Sequence, residues 1–187
     1  MSERVRPTPP GAGGLEQHLH EMIRVDHAGE FGAVQIYRGQ LAVFSRREQT
    51  ARAAELIQEM EAGEKTHLET FDRLIVERGV RPTAMAPVWR VLGFGLGAAT
   101  ALMGEKAAHA CTAAVEEVIE EHYAHQMKAL DGVDPELRGI VAKFREDELA
   151  HRDTAVAEGA KNAPGYGVLS GAIKLGCRLA IRISEKI

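Results

Sequence analysis

A chain of 187 residues is long enough for one domain with a sizeable core. Its 23 Lys and Arg against 27 Asp and Glu leave a mildly acidic balance, which argues against nucleic acid as the main partner, because phosphate binding calls for a basic domain. Two cysteines, Cys111 and Cys177, make neither a disulfide framework nor a Cys-x-x-Cys pair, so a disulfide scaffold is excluded and a reducing compartment is the simpler expectation.

In chain order, the opening "MSERVRPTPPGAGGLE" has no apolar run and is poor in Ser while carrying acidic residues. Neither a secretory signal nor a mitochondrial transit peptide is expected there. Residues 1–14 read as a disordered lead and 15–187 as a single domain. Helical periodicity dominates the rest of the chain, with no strand alternation long enough to trust. A first helix is predicted from Leu15 to Phe44, before the polar break "SRREQT". A second runs from Ala51 to Glu77 and stops at "RGVRP", a Gly followed by Pro82. The segment 84–104 contains "APVWRVLGFGLGAATALMG" and separates two halves. A third helix covers Glu105 to Leu130. "DGVDPE" is a turn with Asp134 as N-cap and Pro135 at the first helical position, and the fourth helix runs to about Ala160. After "NAPGYG" a short amphipathic helix spans 168–184. Four long helices, paired by short turns and joined by one long crossover, define an all-α, ferritin-like four-helix bundle with additional short amphipathic helices.

Two stripes are interrupted in the same way. In the second helix Ile57, Met60, Glu64, His67, Phe71 and Leu74 share a face; in the fourth, Leu137, Val141, Phe144, Glu148, His151 and Ala155 do. With eight histidines in the chain, a single Glu-x-x-His would carry little weight. Both pairs, however, break an apolar face at i, i+3 spacing, which puts Glu and His on one side of the helix. In the first helix Glu30 shares a row with Ile23, Ala33 and Tyr37, again a carboxylate where an apolar residue belongs.

The hairpins bring these positions level. Glu30 and Glu64 are 34 apart and fold about residue 47, inside "SRREQT"; Glu116 and Glu148 are 32 apart and fold about Gly132, inside "DGVDPE". Each hairpin then supplies one Glu and one Glu-x-x-His at matched height. Tyr37 and Tyr123 repeat the pattern, seven residues after Glu30 and Glu116. Glu116 is preferred over Glu117 because its row (Thr112, Ile119, Tyr123, Met127) is core-like; Glu120 is the fallback. Four buried carboxylates without cations would be intolerable. Two divalent ions cancel their charge, and two histidines complete the ligand sets, as in di-iron and di-manganese carboxylate bundles. The metal-ligand candidates are therefore Glu30, Glu64, His67, Glu116, Glu148 and His151. Such ligands suit iron, manganese and zinc alike.

Other polar residues receive plainer readings. Asp26, one turn before Glu30, is expected to hydrogen-bond the free ring nitrogen of His67 or His151. His27 is expected to support the site or pack beside it. His18, His20, His109 and His125 read as structural or exposed, and both cysteines as small buried residues.

From Val91 to Met103 the chain carries no charge, yet a membrane-crossing helix needs about 20 residues. A helix lying in the interface, begun by Trp89 and Arg90, fits better. In the final helix Lys174, Arg178 and Arg182 share one face, while Leu169, Ile173, Cys177 and Ala180 supply apolar surface. A basic amphipathic helix suits an anionic membrane surface.

The stretches "MIRVDHAGEFGA", "EKTHLETF", "ACTAAVEEVIEEHY", "FREDELAHRD" and "GCRLAIRISEKI" resemble, in order, the demethoxyubiquinone hydroxylase family of ubiquinone biosynthesis. The match runs from about Leu15 to the end. It implies a ferritin-like fold holding two Fe ions, a di-iron monooxygenase that uses O2 to hydroxylate a polyprenylated demethoxy-benzoquinol ring. Matched residue by residue, the family's ligands fall on the six positions above, and His122 and Tyr123 line the quinol site. The family typically reads "HYN" where this chain reads "HYA", so Ala124 departs and brings no polar group to that position. The expected location is the bacterial inner membrane, peripheral, on the cytoplasmic side. Expected partners are the quinol, O2, the membrane surface and an electron donor, without nucleic acid, and either a homo-oligomer or a complex of ubiquinone-biosynthesis proteins. Competing readings are a ferritin- or rubrerythrin-like protein that oxidises iron or reduces peroxide, although rubrerythrins usually add a Cys-x-x-Cys domain, and a metal-free helical interaction module.

Overall fold

The computed structural model describes residues 13–46 and 48–187. It contains helices α1 (Gly13–Phe44), α2 (Ala51–Glu77), α3 (Ala86–Leu102), α4 (Glu105–Ala129), α5 (Pro135–Ala157) and α6 (Tyr166–Lys186). Single 3-10 turns at Glu48–Thr50 and Ala160–Asn162 complete the regular structure. No strand occurs among the described residues. The expected lead lies outside the described residues except for Gly13 and Gly14, which already belong to α1.

Local chemistry explains the boundaries. Asp134 caps α5 by accepting from the Leu137 N–H at 3.0 Å, and Pro135 occupies the first turn, as its fixed φ and missing donor favour. The fourth helix stops at Ala157 rather than about Ala160, because Gly159 turns left-handed (φ 90) and the next residues tighten into a 3-10 turn. Gly165 (φ 67) likewise starts α6 at Tyr166, two residues earlier than predicted.

α1 packs on α2 and α4 on α5, each pair joined by a short turn, which makes them antiparallel neighbours. Two of the four apolar clusters of the core form layers at either end of the bundle. Ile23, Phe71, Leu130, Leu137 and Val141 build one; Tyr37, Phe44, Ile57, Met60 and Ala108 build the other. Each large side chain buried here contributes about 1.5–3 kcal/mol. Along α1, Glu30 falls between residues of the two layers, as Glu64 does along α2 and Glu116 along α4. A polar belt is thereby sandwiched between hydrophobic ends.

The crossover carries α3, which lies against α1. Glycine sets their separation: a Cβ on Gly97 would collide with the Ile36 carbonyl, and one on Gly39 with that of Phe94. α6 packs on α4 and α1. α4 accepts its neighbours through buried small residues, among them Ala107, Ala110, Cys111 and Ala114.

Candidate metal centre

α1 contributes Glu30, α2 Glu64 and His67, α4 Glu116, and α5 Glu148 and His151; all are buried except His151, whose side chain is 15% exposed. The structure brings all six together in two adjoining cells. Glu30, Glu64, His67 and Glu148 form one; Glu64, Glu116, Glu148 and His151 form the other, each with donor atoms within 4.8 Å of one another. In the first, His67 Nδ1 lies 3.5 Å from Glu30 Oε2, 3.7 Å from Glu64 Oε2 and 3.2 Å from Glu148 Oε1. In the second, His151 Nδ1 lies 2.9 Å from Glu64 Oε1 and 3.4 Å from Glu148 Oε2. Glu64 and Glu148 thus turn one oxygen into each cell, while Glu30 and Glu116 belong to one cell each.

The donor atoms themselves test whether cations fit. Glu30 Oε2, both oxygens of Glu64, His67 Nδ1, Glu116 Oε2, both oxygens of Glu148 and His151 Nδ1 are all buried without a hydrogen-bond partner. Buried polar atoms are almost always satisfied, and orphaned atoms from all six residues face the same space. Two divalent ions would satisfy them and cancel four carboxylate charges.

The remaining oxygens of the two outer glutamates are held by tyrosines of the opposite hairpin. Tyr37 donates to Glu116 Oε1 at 2.7 Å, and Tyr123 donates to Glu30 Oε1. The equal offset of the two tyrosines in sequence becomes a pair of reciprocal bonds across the bundle. Burial, reinforced by neighbouring carboxylates, holds both phenols well above their ordinary pKa, so each remains a donor. Burial and the charges of Glu64 and Glu148 also push Glu30 and Glu116 well above the carboxylate range. Burial opposes charging His151, but Glu148 and Glu64 outweigh it and raise its pKa to about 10. The site is a trap for positive charge.

Asp26 reaches neither His67 nor His151, contrary to the expectation from its helical row. Its side chain is turned toward α4, where Asp26 Oδ1 accepts from His122 at 3.2 Å and from Gln126 at 2.8 Å. The carboxylate that meets a histidine of the cluster is Asp147, whose Oδ2 lies 3.1 Å from His67 Nε2. No pattern along α5 alone pointed to it, since the contact depends on the register between α2 and α5. Glu120 pairs with Arg145 at 2.7 Å, outside both cells. His27 bonds Asp72 at 2.9 Å. His109 and Cys111 are buried, Cys177 is half-buried, and His18 and His125 are exposed. Glu61, a further buried acid one turn before Glu64, is held by Arg38 and Lys65.

A cavity of about 490 Å³ lies between α1, α3, α4 and α6, with an almost wholly apolar lining that includes Gly29, Gly32, Ile36, Trp89, Ile119 and Ile173. Gly29 precedes Glu30, and Val115, another lining residue, precedes Glu116, so the cavity flanks two of the clustered carboxylates. A Cβ added at Gly29 or Gly32 meets no atom within 4 Å: the missing side chains are part of the space. Trp89 donates to Ser184 at 3.0 Å along this wall. Neither His122 nor Tyr123 lines this cavity. His122 lines a separate, more polar one of about 470 Å³ with His18 and His125, and Tyr123 is buried against Glu30.

The faces of α6 differ from expectation. Leu169, Ile173, Cys177 and Ala180 point inward and line the apolar cavity. Lys174 and Arg178 pair with Glu117 and Glu121 of α4, because docking α6 beside α4 brings opposite charges into register. The exposed large apolar side chains include Val168, Leu175 and Leu179 on α6 and Val88, Val91, Leu92, Phe94 and Leu102 on α3. No helix among the described residues is long and apolar enough to cross a membrane.

Fold and site together define a ferritin-like helical bundle with paired carboxylate–histidine cells at mid-height. The family described as Ubiquinone biosynthesis protein COQ7 matches residues 17–184, and the chain belongs to it, the demethoxyubiquinone hydroxylases. The chain is 48% identical over 178 residues to the 3-demethoxyubiquinol 3-hydroxylase of Rhodospirillum rubrum, covering 95% of this chain and 82% of that protein. It is 48% identical over 173 residues to the mitochondrial NADPH-dependent 3-demethoxyubiquinone 3-hydroxylase of Homo sapiens, covering 90% and 78%. Over 184 residues it is 38% identical to the mitochondrial 5-demethoxyubiquinone hydroxylase of Saccharomyces cerevisiae, again covering 90% and 78%. The chain is a hydroxylase.

Proposed function

We propose that this enzyme hydroxylates the ring of a polyprenylated demethoxyubiquinol with O2 at a di-iron centre held by Glu30, Glu64, His67, Glu116, Glu148 and His151. The observation that carries the reading is the set of orphaned, buried donor atoms drawn from all six side chains and divided between two adjoining cells. Iron bound there supplies the electrons and Lewis acidity that O2 reduction requires. In balance, a ring C–H, O2, two electrons and two protons give a ring C–OH and water. The name of the human relative specifies NADPH, and a reduced nicotinamide is the proposed class of electron donor.

The protein's own part is positioning. Glu64 and Glu148 each offer an oxygen to both cells and set the spacing between them. Tyr37 and Tyr123 hold the outer oxygens of Glu116 and Glu30, so that one oxygen of each stays turned inward. Gly29, Gly32 and Ile36 shape an apolar space beside the carboxylates that suits an isoprenoid-bearing ring and excludes water. The exposed apolar side chains of α3 and α6 are the surface by which the enzyme would rest on a membrane, in a bacterium the cytoplasmic face of the inner membrane, with the substrate's tail remaining in lipid.

The test is anaerobic loading with Fe(II), then addition of a short-chain demethoxyubiquinol, NADPH and isotopically labelled O2. Two iron ions per chain and one labelled oxygen in the product ring are expected. Iron oxidation without a hydroxylated ring would overturn the assignment and move the chain to an iron-oxidising role.

A further inference from the structure

The two cells share Glu64 and Glu148 but differ around their histidines. His67 is 3% exposed, and its ring stacks on Phe144 with centroids 3.9 Å apart. Its outer nitrogen, Nε2, bonds the Asp147 carboxylate at 3.1 Å, which fixes the tautomer that turns the Nδ1 lone pair inward. His151 has no such partner: among the described residues no side chain hydrogen-bonds its Nε2. The backbone beside it is Gly63, where an added Cβ would lie 3.3 Å from that nitrogen. The His151 ring therefore packs against the Gly63 backbone, and with 15% of its side chain exposed His151 stands nearer to water than His67.

We infer that the two metal positions are unequal: the ion beside His67 binds first and tightly, and the ion beside His151 binds second and exchanges more readily, with Asp147 as the positioning residue that makes the difference. The inference rests on the metal centre proposed above. A carboxylate on the far nitrogen raises the basicity of a ligating imidazole and locks its orientation, and losing such a partner typically lowers metal affinity by about 10–100-fold. The His67 cell has this support and the His151 cell relies on solvent.

Metal-free full-length protein titrated anaerobically with Co(II), read by visible absorption and by proton NMR of shifted imidazole N–H signals, separates the possibilities. Two one-equivalent steps are expected, with affinities about tenfold or more apart. The first step should bring up a slowly exchanging N–H, that of His67 shielded by Asp147. Asp147→Asn should weaken that step by about 10–100-fold and leave the second nearly unchanged, with Asp147→Glu recovering part of the loss. One step binding two equivalents alike, or equal weakening of both steps in Asp147→Asn, overturns the inference while leaving the metal centre standing. Failure to bind any Co(II) overturns both. If Asp147→Asn does not fold, chelator extraction from the wild-type protein decides: loss of one equivalent well before the other supports the asymmetry, and single-phase loss of both refutes it.

Discussion

Tyr37 and Tyr123 show how much one hydroxyl can organise. Each spans the bundle to a carboxylate of the other hairpin, and each outer glutamate therefore has one oxygen satisfied and one aimed at the centre. Tyr37→Phe removes only the donor. It leaves Glu116 Oε1 buried without a partner, at a cost of about 1–3 kcal/mol. Denaturant unfolding of the metal-free protein should show that loss, and a loss below a few tenths would mean that water or a rotated Glu116 takes over the bond. At the opposite face of the site the same logic made Asp26 hard to place from sequence. Its helical row was evident, but its partners, His122 and Gln126, sit on a helix about a hundred residues away.

Helix ends and helix crossings follow more local rules. Asp134 caps α5 and also pairs with Arg78 at the end of α2, tying the two hairpins together. Burial alone would raise the Asp134 carboxyl, but the Arg78 guanidinium and the Leu137 N–H outweigh it and hold it below the ordinary value of 3.8. A carboxyl whose folded pKa is depressed stabilises the fold above its ordinary value and loses that effect as pH falls through the folded one. Asp134→Ala should therefore cost about 0.5–2 kcal/mol at neutral pH, and the gap to wild type should close below about pH 4. A gap that stays constant into the acid range would assign the effect to something other than the ionised cap. Where α3 crosses α1, Gly97→Ala forces a methyl against the Ile36 carbonyl and should destabilise by about 1–3 kcal/mol. Gly95→Ala, on the open side of the same helix with no atom within 4 Å, should be neutral or stabilising by up to about 1 kcal/mol. Equal effects at the two positions would show that α3 is free to move away from α1.

At the scale of the molecule, two apolar layers hold a charged belt between them, and a separate apolar cavity lies beside it under α3 and α6. The separation predicts that the two can be damaged independently. Gly32→Leu places about four carbons in the cavity without touching either cell. It should raise KM for the quinol by about tenfold or more, at about 0.8 kcal/mol for each displaced methylene contact, while metal binding stays as in wild type. Unchanged KM would place the substrate elsewhere, with the polar cavity beside His122 as the alternative.

Much of this was legible in the chain because it is written at helical period. Glu64 with His67 and Glu148 with His151 interrupt apolar stripes within single helices, and short turns at residues 45–50 and 131–134 set which heights must meet. Meeting of the six side chains therefore needed only local structure and chain geometry. What the tertiary structure alone decided concerns helices that are not joined by a short turn. Asp147 reaches His67 across the α2–α5 contact, Lys174 and Arg178 turn toward acids of α4 rather than outward, and Leu169 and Ile173 line a cavity instead of a surface. Periodicity within a helix tells which side chains share a face. It does not tell which other helix will cover that face, because this depends on how each helix is rotated about its own axis when the whole core closes.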